Sequence, residues 1–431
     1  MSRRYLFATF PVTGHVHPGL PIARELVARG HDVRWHATPR FKAAIEATGA
    51  RWVPFTHATQ LDEERIEEMF PARPKGGIAQ LQYDIKNVFV DFVRGALRDL
   101  EEELDREPAD VIVGDNTNGV CGIVSERRGI PWAVFGISIL ATPSRDVAPF
   151  GLAMKPSASK LGRLRNRALY WFVDRVLFRE ANAYYAQIRR ELGLSMKSSS
   201  LFADAATADL YLQSTVPSFE YPRTDMKDNV HFVGASLPTA SRDWTPPSWW
   251  GELDRRRVVL VTQGTINNDF DQLIRPAIRA LASEDVLVVV TTGSKPVSDL
   301  KLDLLPWNVR VERFIPYAHL MPKVDLLLTN GGYGSIQIAL AHGVPVVAIG
   351  KTEEKPEIAM RVEWSGVGVG LKVQIPTEAQ IRDAVQRVLH SPAYGARAEA
   401  VRYEMARLGG PRRAADLLEE LAHAESFARS A

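Results

Sequence analysis

A chain of 431 residues is too long for one ordinary hydrophobic core, so two or three domains are expected. Apolar residues at 45 % support globular packing and exclude wholesale disorder, and a net charge of +2 gives no electrostatic case for a nucleic-acid partner. The single cysteine, Cys121, excludes an internal disulfide and a zinc–cysteine cluster and fits a reducing, cytoplasmic setting. No stretch approaches the roughly 18 apolar residues of a membrane span, so no integral membrane segment is expected. The short apolar run after Arg3 and Arg4 reads as a first strand rather than a signal peptide.

In chain order, the first half alternates strands and helices. Tyr5–Phe10, Asp32–Ala37, Asp110–Asp115, Trp132–Gly136 and Asp209–Ser214 read as strands. Between the first two, Pro18–Arg29 places Leu20, Ala23, Leu26 and Val27 along one helical face, with Gly30 as the stop signal. Near-continuous apolar strands alternating with helices indicate a parallel sheet covered on both faces. Lys160–Leu192 has a helical pattern and a basic start in Lys160, Arg163, Arg165 and Arg167. One reading of it is attachment to an anionic membrane surface. The plainer one is a solvated face over packed Leu169, Phe172, Val176 and Leu177, and it is favoured because one basic turn is weak evidence.

Around Leu237–Leu253 the texture changes to Pro238, Trp244, Pro246, Pro247, Trp249 and Trp250, which mark a linker over residues 238–256. The pattern then restarts: Val258–Gln263, Val286–Thr292, Val309–Phe314, Asp325–Asn330 and Val344–Ile349 read as strands. The fold class is therefore α/β, with two doubly wound, Rossmann-like parallel-sheet domains facing a cleft, at 1–237 and 257–411. The last segment, 412–431, is an amphipathic helix expected to cross back to the first domain.

Two glycine-bearing turns carry the chemistry. Thr13-Gly14-His15-Val16-His17-Pro18 follows the first strand and offers a histidine. Thr329-Asn330-Gly331-Gly332-Tyr333-Gly334-Ser335 follows Val324–Leu328 and opens onto a helix. Its glycines let backbone approach a ligand closely, and free N–H groups with the positive helix end make a diphosphate seat. The turn lacks both Gly-x-Gly-x-x-Gly and Gly-Lys-Ser/Thr, so it supports neither a dehydrogenase nor an ATPase. Asp269-Phe270-Asp271 reads as helix N-terminal punctuation before Gln272–Leu281, and no metal is expected.

With these pieces in place the chain resembles a family 1-type, UDP-glycosyltransferase-like glycosyltransferase of the GT-B fold, the group that includes plant small-molecule and bacterial macrolide and antibiotic glycosyltransferases. The resemblance rests on Gly14–Pro18, Val261–Thr265, Arg313–Tyr317, Thr329–Ser335, Gly343-Val344-Pro345 and Glu353–Gly368, six pieces in order through nearly the whole chain. It implies an inverting, metal-independent sugar transfer from a UDP- or dTDP-linked sugar, as co-substrate without a further cofactor, to a hydroxyl of a small apolar acceptor. His15 would be the general base and Asp115, in Val113-Gly114-Asp115-Asn116, its partner carboxylate. His17 is a competing histidine two residues on, and Asn116 and Asn118 leave open a plain strand-end cap at Asp115.

The same resemblance assigns the donor side to Gly14, Thr262, Gly264, Thr265, Phe314, Tyr317, Asn330, Gly331, Gly332, Gly334, Ser335, Glu354 and Lys355. Several of these depart from the family pattern. Asn330 stands where many relatives have histidine, Phe314 where they have tryptophan, Tyr317 where they have glutamine, and Ile338 where glutamate often holds the ribose. Glu354-Lys355 stands for the acidic-Gln pair and Ile358 for the later asparagine. Acceptor-side candidates are Phe70, Tyr83, Phe89, Phe135, Ile139 and Phe150, of which most are expected to be core. A sugar-nucleotide epimerase of the same fold and a non-catalytic helper homologue are the alternatives, and both a monomer and a homodimer remain open.

Overall fold

Strands built from unbroken Val, Ile and Leu cannot leave a face in water, and here they build two parallel sheets with helices on both sides. The computed structural model describes residues 2–430 apart from 75, 199–200, 239–243, 265–268, 294, 303 and 353, with no side-chain description at 64, 201–202 and 425–430.

The first sheet holds β1 (Arg4–Ala8), β2 (Asp32–Ala37), β3 (Arg51–Pro54), β4 (Val111–Asp115), β5 (Trp132–Gly136), β6 (Leu210–Gln213) and β7 (Val230–Phe232). Its order is β3-β2-β1-β4-β5-β6-β7. The second holds β8 (Val258–Thr262), β9 (Leu287–Thr291), β10 (Val309–Glu312), β11 (Leu326–Thr329), β12 (Val346–Ile349) and β13 (Gly368–Leu371). Its order is β10-β9-β8-β11-β12-β13. Both follow the doubly wound plan in which strand order reverses beside the first strand of each unit. The reversals fall between β1 and β4, where Ala8 faces Gly114, and between β8 and β11, where Thr262 faces Thr329.

Three strands are absent from the sequence reading, all at sheet edges. Strand β3 is largely exposed and Arg51 pairs with Asp32 and Glu107, so it lacks an apolar run. Strand β7 has three half-buried residues. Strand β13 reads Gly-Val-Gly-Leu, a poor strand former. Close approach explains its glycines: a Cβ at Gly368 would collide with the Val346 carbonyl, and one at Gly370 would lie 2.5 Å from the Ala359 carbonyl oxygen.

The two units are joined by packing and by charge. Ile139, Val216 and Phe219 from the first half enter the apolar cluster of the second, beside Tyr333 and Ile336. Arg361, in the helix Lys355–Ser365, donates to Glu220 at 2.7 Å and to Glu357 at 3.1 Å, with all three side chains buried. Glu357 also accepts the backbone N–H groups of Gly151 and Ala153. Deleting one member of such a buried cluster leaves an uncompensated charge and costs on the order of 3–5 kcal/mol. The helix Pro411–Ser430 returns to the first sheet, burying Ala414, Ala415 and Leu418 against its core, with Arg29 bonded to Asp416 and Glu419.

The helix Lys160–Phe172 corrects the plainer expectation for its segment. Phe172 is 46 % and Val176 52 % exposed, whereas Val173 is buried. The π-helical turn Val173–Leu177 breaks the 3.6-residue period on which the expected packing of Phe172 and Val176 rested. Among the described residues no helix is long and apolar enough to cross a membrane.

Candidate active site

Open α/β sheets bind ligands outside the carboxyl ends of the strands at the reversal of strand order. On the first sheet that position is filled by the turn after β1 and the end of β4. The chain leaves β1 through Thr9 and Phe10 and makes one helical turn, Thr13–Val16, in which Glu63 accepts the Thr13 N–H. The turn carries His15 to the end of β4, where Nδ1 lies 3.1 Å from Asp115 Oδ1. Asp115 is buried and saturated: Oδ2 accepts the Phe10 N–H at 2.7 Å, while Oδ1 accepts the Thr117 N–H at 2.9 Å and the Thr117 hydroxyl at 2.5 Å. Burial alone would raise its pKa, but the imidazole, the Thr117 hydroxyl and the Phe10 N–H outweigh burial and hold the carboxyl below its usual range.

Thr117 Oγ1 is also 3.0 Å from His15 Nδ1. A hydroxyl has one proton, and the short contact to Asp115 uses it. Its lone pair then faces Nδ1–H, so two acceptors hold that proton, which in the neutral ring places the lone pair on Nε2. Sequence reading missed Thr117; a hydroxyl two residues after a strand-end aspartate was the available signal. The neighbouring asparagines have separate work: Asn116 accepts the Ile137 N–H, and Asn118 donates to the Ala8 carbonyl. His17 lies edge-on to Phe41 with no carboxylate partner among the described residues.

The second sheet presents backbone at the equivalent place. Gly331 has φ +87°, and a Cβ there would press on the Lys355 side chain at 3.3 Å. Gly332 caps the helix Tyr333–Ala341, and the Ser335 hydroxyl returns to the Gly332 carbonyl at 2.9 Å. Asn330 donates to the Gln263 carbonyl, tying the turn after β11 to that after β8, where Gly264 has φ +76°. A Cβ at Gly14 or at Gly334 would meet nothing within 4 Å, so open space adjoins both turns.

The remaining donor-side candidates divide. The Tyr317 hydroxyl donates to Thr262 at 3.2 Å, so these two engage each other. Phe314 is 71 % exposed just past β10, free to stack. Lys355 is buried in the first turn of its helix and packs on Gly331 and Gly350, and Glu354 is that helix's N-cap. Thr265 lies outside the described residues.

Tyr333, which the sequence reading passed over, fixes the second turn against the first unit: its hydroxyl accepts Gln213 Nε2 at 2.9 Å, at the end of β6. Strand β6 is three strands from β1 in the first sheet. At about 4.8 Å per strand that is roughly 14 Å along one sheet edge.

On the acceptor side the structure separates the six aromatic and aliphatic candidates. Phe89 stacks on Phe10 at 4.4 Å and lies 6.3 Å from the His15 ring. Phe70, with Tyr83 edge-on to it, lines a cavity of about 40 Å³ together with Phe10, Leu61 and Phe92. The other three are placed elsewhere. Phe135 is wholly buried in β5 beneath Gly19, Ile139 is sealed in the cluster between the units, and Phe150 packs on that same cluster. A strand interior and an interdomain seam offer such residues more apolar contact than a loop does.

Among the described residues no group of three or more His, Cys, Asp or Glu side chains could hold a metal ion. Asp269 accepts the Asp271 N–H and Asp271 pairs with Arg275, but the helix begins at Ile274 with Leu273 at its N-cap, so the two acids lie in the turn before it rather than at its first residues.

Comparison with known proteins agrees with this architecture. Residues 276–421 match the family described as erythromycin biosynthesis protein CIII-like, C-terminal domain. The chain is 47 % identical over 424 residues to 4'-demethylrebeccamycin synthase of Lentzea aerocolonigenes, covering 98 % of this chain and 100 % of that one. It is 26 % identical to the oleandomycin glycosyltransferase of Streptomyces antibioticus, covering 94 % and 88 % of the two chains. The crystal structure of the calicheamicin glycosyltransferase CalG4 superposes with a TM-score of 0.76 at 24 % identity, over 97 % of this chain and 98 % of that one. The chain therefore belongs to the family 1-type, UDP-glycosyltransferase-like enzymes of the GT-B fold, and it is a glycosyltransferase.

Proposed function

We propose that the enzyme transfers a sugar from a UDP- or dTDP-linked donor to a hydroxyl of a small apolar natural product, with inversion and without a metal. The observation that carries this reading is the imidazole whose Nδ1 side is engaged by Asp115 and Thr117. The acceptor oxygen attacks the anomeric carbon from the face opposite the diphosphate. Its proton passes to His15 Nε2, the new O–C bond forms, and the old C–O bond breaks with its electron pair on the β-phosphate. Asp115 stabilises the imidazolium that results. The amides of 331–335 and the end of the helix Tyr333–Ala341 stabilise the charge growing on the leaving diphosphate.

Names among the relatives support the substrate classes. They include UDP-glucosyltransferases, a demethyllactenocin mycarosyltransferase of Streptomyces fradiae and the 4'-demethylrebeccamycin synthase. A solved neighbour, VinC, is a complex with dTDP. The cavity beside Phe70 is far smaller than the roughly 300–1,000 Å³ of a small-molecule site, so the acceptor must also use the open space at Gly14. The test is a His15→Ala variant supplied with UDP- and dTDP-sugars and a panel of polycyclic and macrolide alcohols. Loss of transfer with nucleotide affinity retained is the expected result, and unchanged turnover would end the reading.

A further inference from the structure

One surface of the first unit lies outside the residues assigned to the transfer reaction. Along Lys160–Leu177, Leu161 is 80 % exposed, Leu164 64 % and Trp171 63 %, with Phe172 and Val176 about half exposed. Leu161, Leu164 and Trp171 stand three and seven residues apart and so share one side of the helix as a stripe, Phe172 adjoins Trp171, and Val176 follows within the π-helical turn, while Gly162, Asn166 and Val173 face inward. Among the described residues no other segment exposes as many large apolar side chains in so short a span. Leaving them in water costs stability without any return inside the chain.

Charge identifies what covers the stripe. Residues 155–180 contain seven Lys and Arg (155, 160, 163, 165, 167, 175 and 179) against two acids (174 and 180). Of the acids, Asp174 is half-buried and Glu180 is paired with Lys86. Arg163 is held by Asp146, and Arg165 by Asn166 and the Lys155 carbonyl. Lys160, Arg167, Arg175 and Arg179 are exposed along the stripe. A second copy packed through a two-fold axis would set these cations against themselves. Anionic headgroups would neutralise them while Leu161, Leu164, Trp171 and Phe172 enter the acyl boundary, the arrangement of an interfacial helix. We propose that this face attaches the enzyme peripherally to an anionic lipid surface.

The face adjoins the acceptor side, since Gln82 donates to the Leu177 carbonyl and Lys86 pairs with Glu180. Attachment would therefore hold the acceptor entrance near the phase in which an apolar acceptor concentrates. That consequence rests on the proposed function, whereas attachment itself is measured without substrate.

The experiment is flotation of the full chain with vesicles of equimolar phosphatidylglycerol and phosphatidylcholine, against pure phosphatidylcholine. Binding is expected only to the anionic vesicles, and it should fall as salt is raised. Arg167→Gln/Arg175→Gln should weaken partitioning about thirtyfold. Leu164→Glu/Trp171→Glu should abolish it, and both variants should keep the wild-type melting temperature and transfer to a soluble acceptor. Equal binding to both vesicle types, no binding, or an unchanged arginine variant would overturn the proposal. So would a wild-type dimer in sedimentation equilibrium that Leu164→Glu/Trp171→Glu converts to monomer, which would make a second copy the occupant.

Discussion

The two sheets share one winding order, yet their turns at the reversal of strand order carry opposite kinds of chemistry. In the first unit the position holds side chains: a buried carboxylate, an imidazole and a hydroxyl locked in one network. In the second it holds backbone, with Gly331 and Gly332 bringing amides to the end of a helix. The interiors differ in the same sense. The first unit buries Arg34, His36, Asp99, Glu103, Asp115 and Asp204 among its elements. Among the described residues, the charged side chains buried in the second are Lys355, Glu357 and Arg361, all on one helix. A shared plan thus supplies two equivalent places, and the residues set into them decide which chemistry each performs. On the proposed function the first place suits a base, which requires a held proton position, and the second a diphosphate, which requires donors that cost no side-chain entropy.

Four experiments break or sharpen that contrast. The largest effect is expected from His15→Ala, which should cut kcat at least a hundredfold while leaving calorimetric nucleotide affinity intact. Gly331→Val should act on the other side. With φ at +87° and Lys355 in contact, a branched side chain is strained, so donor KM should rise about tenfold while the pH profile of kcat stays unchanged. Thr117→Val should lower kcat about tenfold without changing donor KM, and Thr117→Ser should restore it, because only the hydroxyl is shared with Nδ1 and Asp115.

The smallest effect concerns acid. Burial would raise Asp99, but His36 and the N–H groups of Ala58, Thr56 and His57 outweigh it and hold the carboxyl at about 2. Its contribution is therefore complete above the unfolded value of roughly 4 and is lost as pH falls toward 2. Burial lowers the pKa of His36, so the unfolded chain takes up that proton first and the loss begins below roughly 6.5. Denaturant titrations over this range should show the first unit weakening before the second, and Asp99→Asn should flatten the dependence.

Much of the candidate site's geometry was legible because its motifs are local. A strand running into Gly14-His15 or into Asn330-Gly331-Gly332 announces its own turn, and each strand was readable wherever its apolar run was unbroken. Edge strands escaped because β3, β7 and β13 owe their existence to a neighbour's open edge rather than to their own composition. Thr117, Tyr333 and Arg361 escaped for a related reason. Their partners lie far away in sequence: His15 for the first, Gln213 for the second, Glu220 for the third. Phe135 and Phe89 show the limit most plainly, since both are aromatic and of equal promise in the sequence. Only one emerges beside His15, while the other fills a strand interior.

By itself the sequence determined the two doubly wound units, their order and the two glycine-bearing turns that follow their strands, because hydrophobic period and turn geometry are short-range properties. Tertiary structure alone decided which hydroxyl joins the imidazole, which tyrosine binds the units together and which helix face the chain itself leaves uncovered. Those outcomes depend on contacts between segments up to about a hundred or more residues apart, for which a single chain of letters carries no local signal.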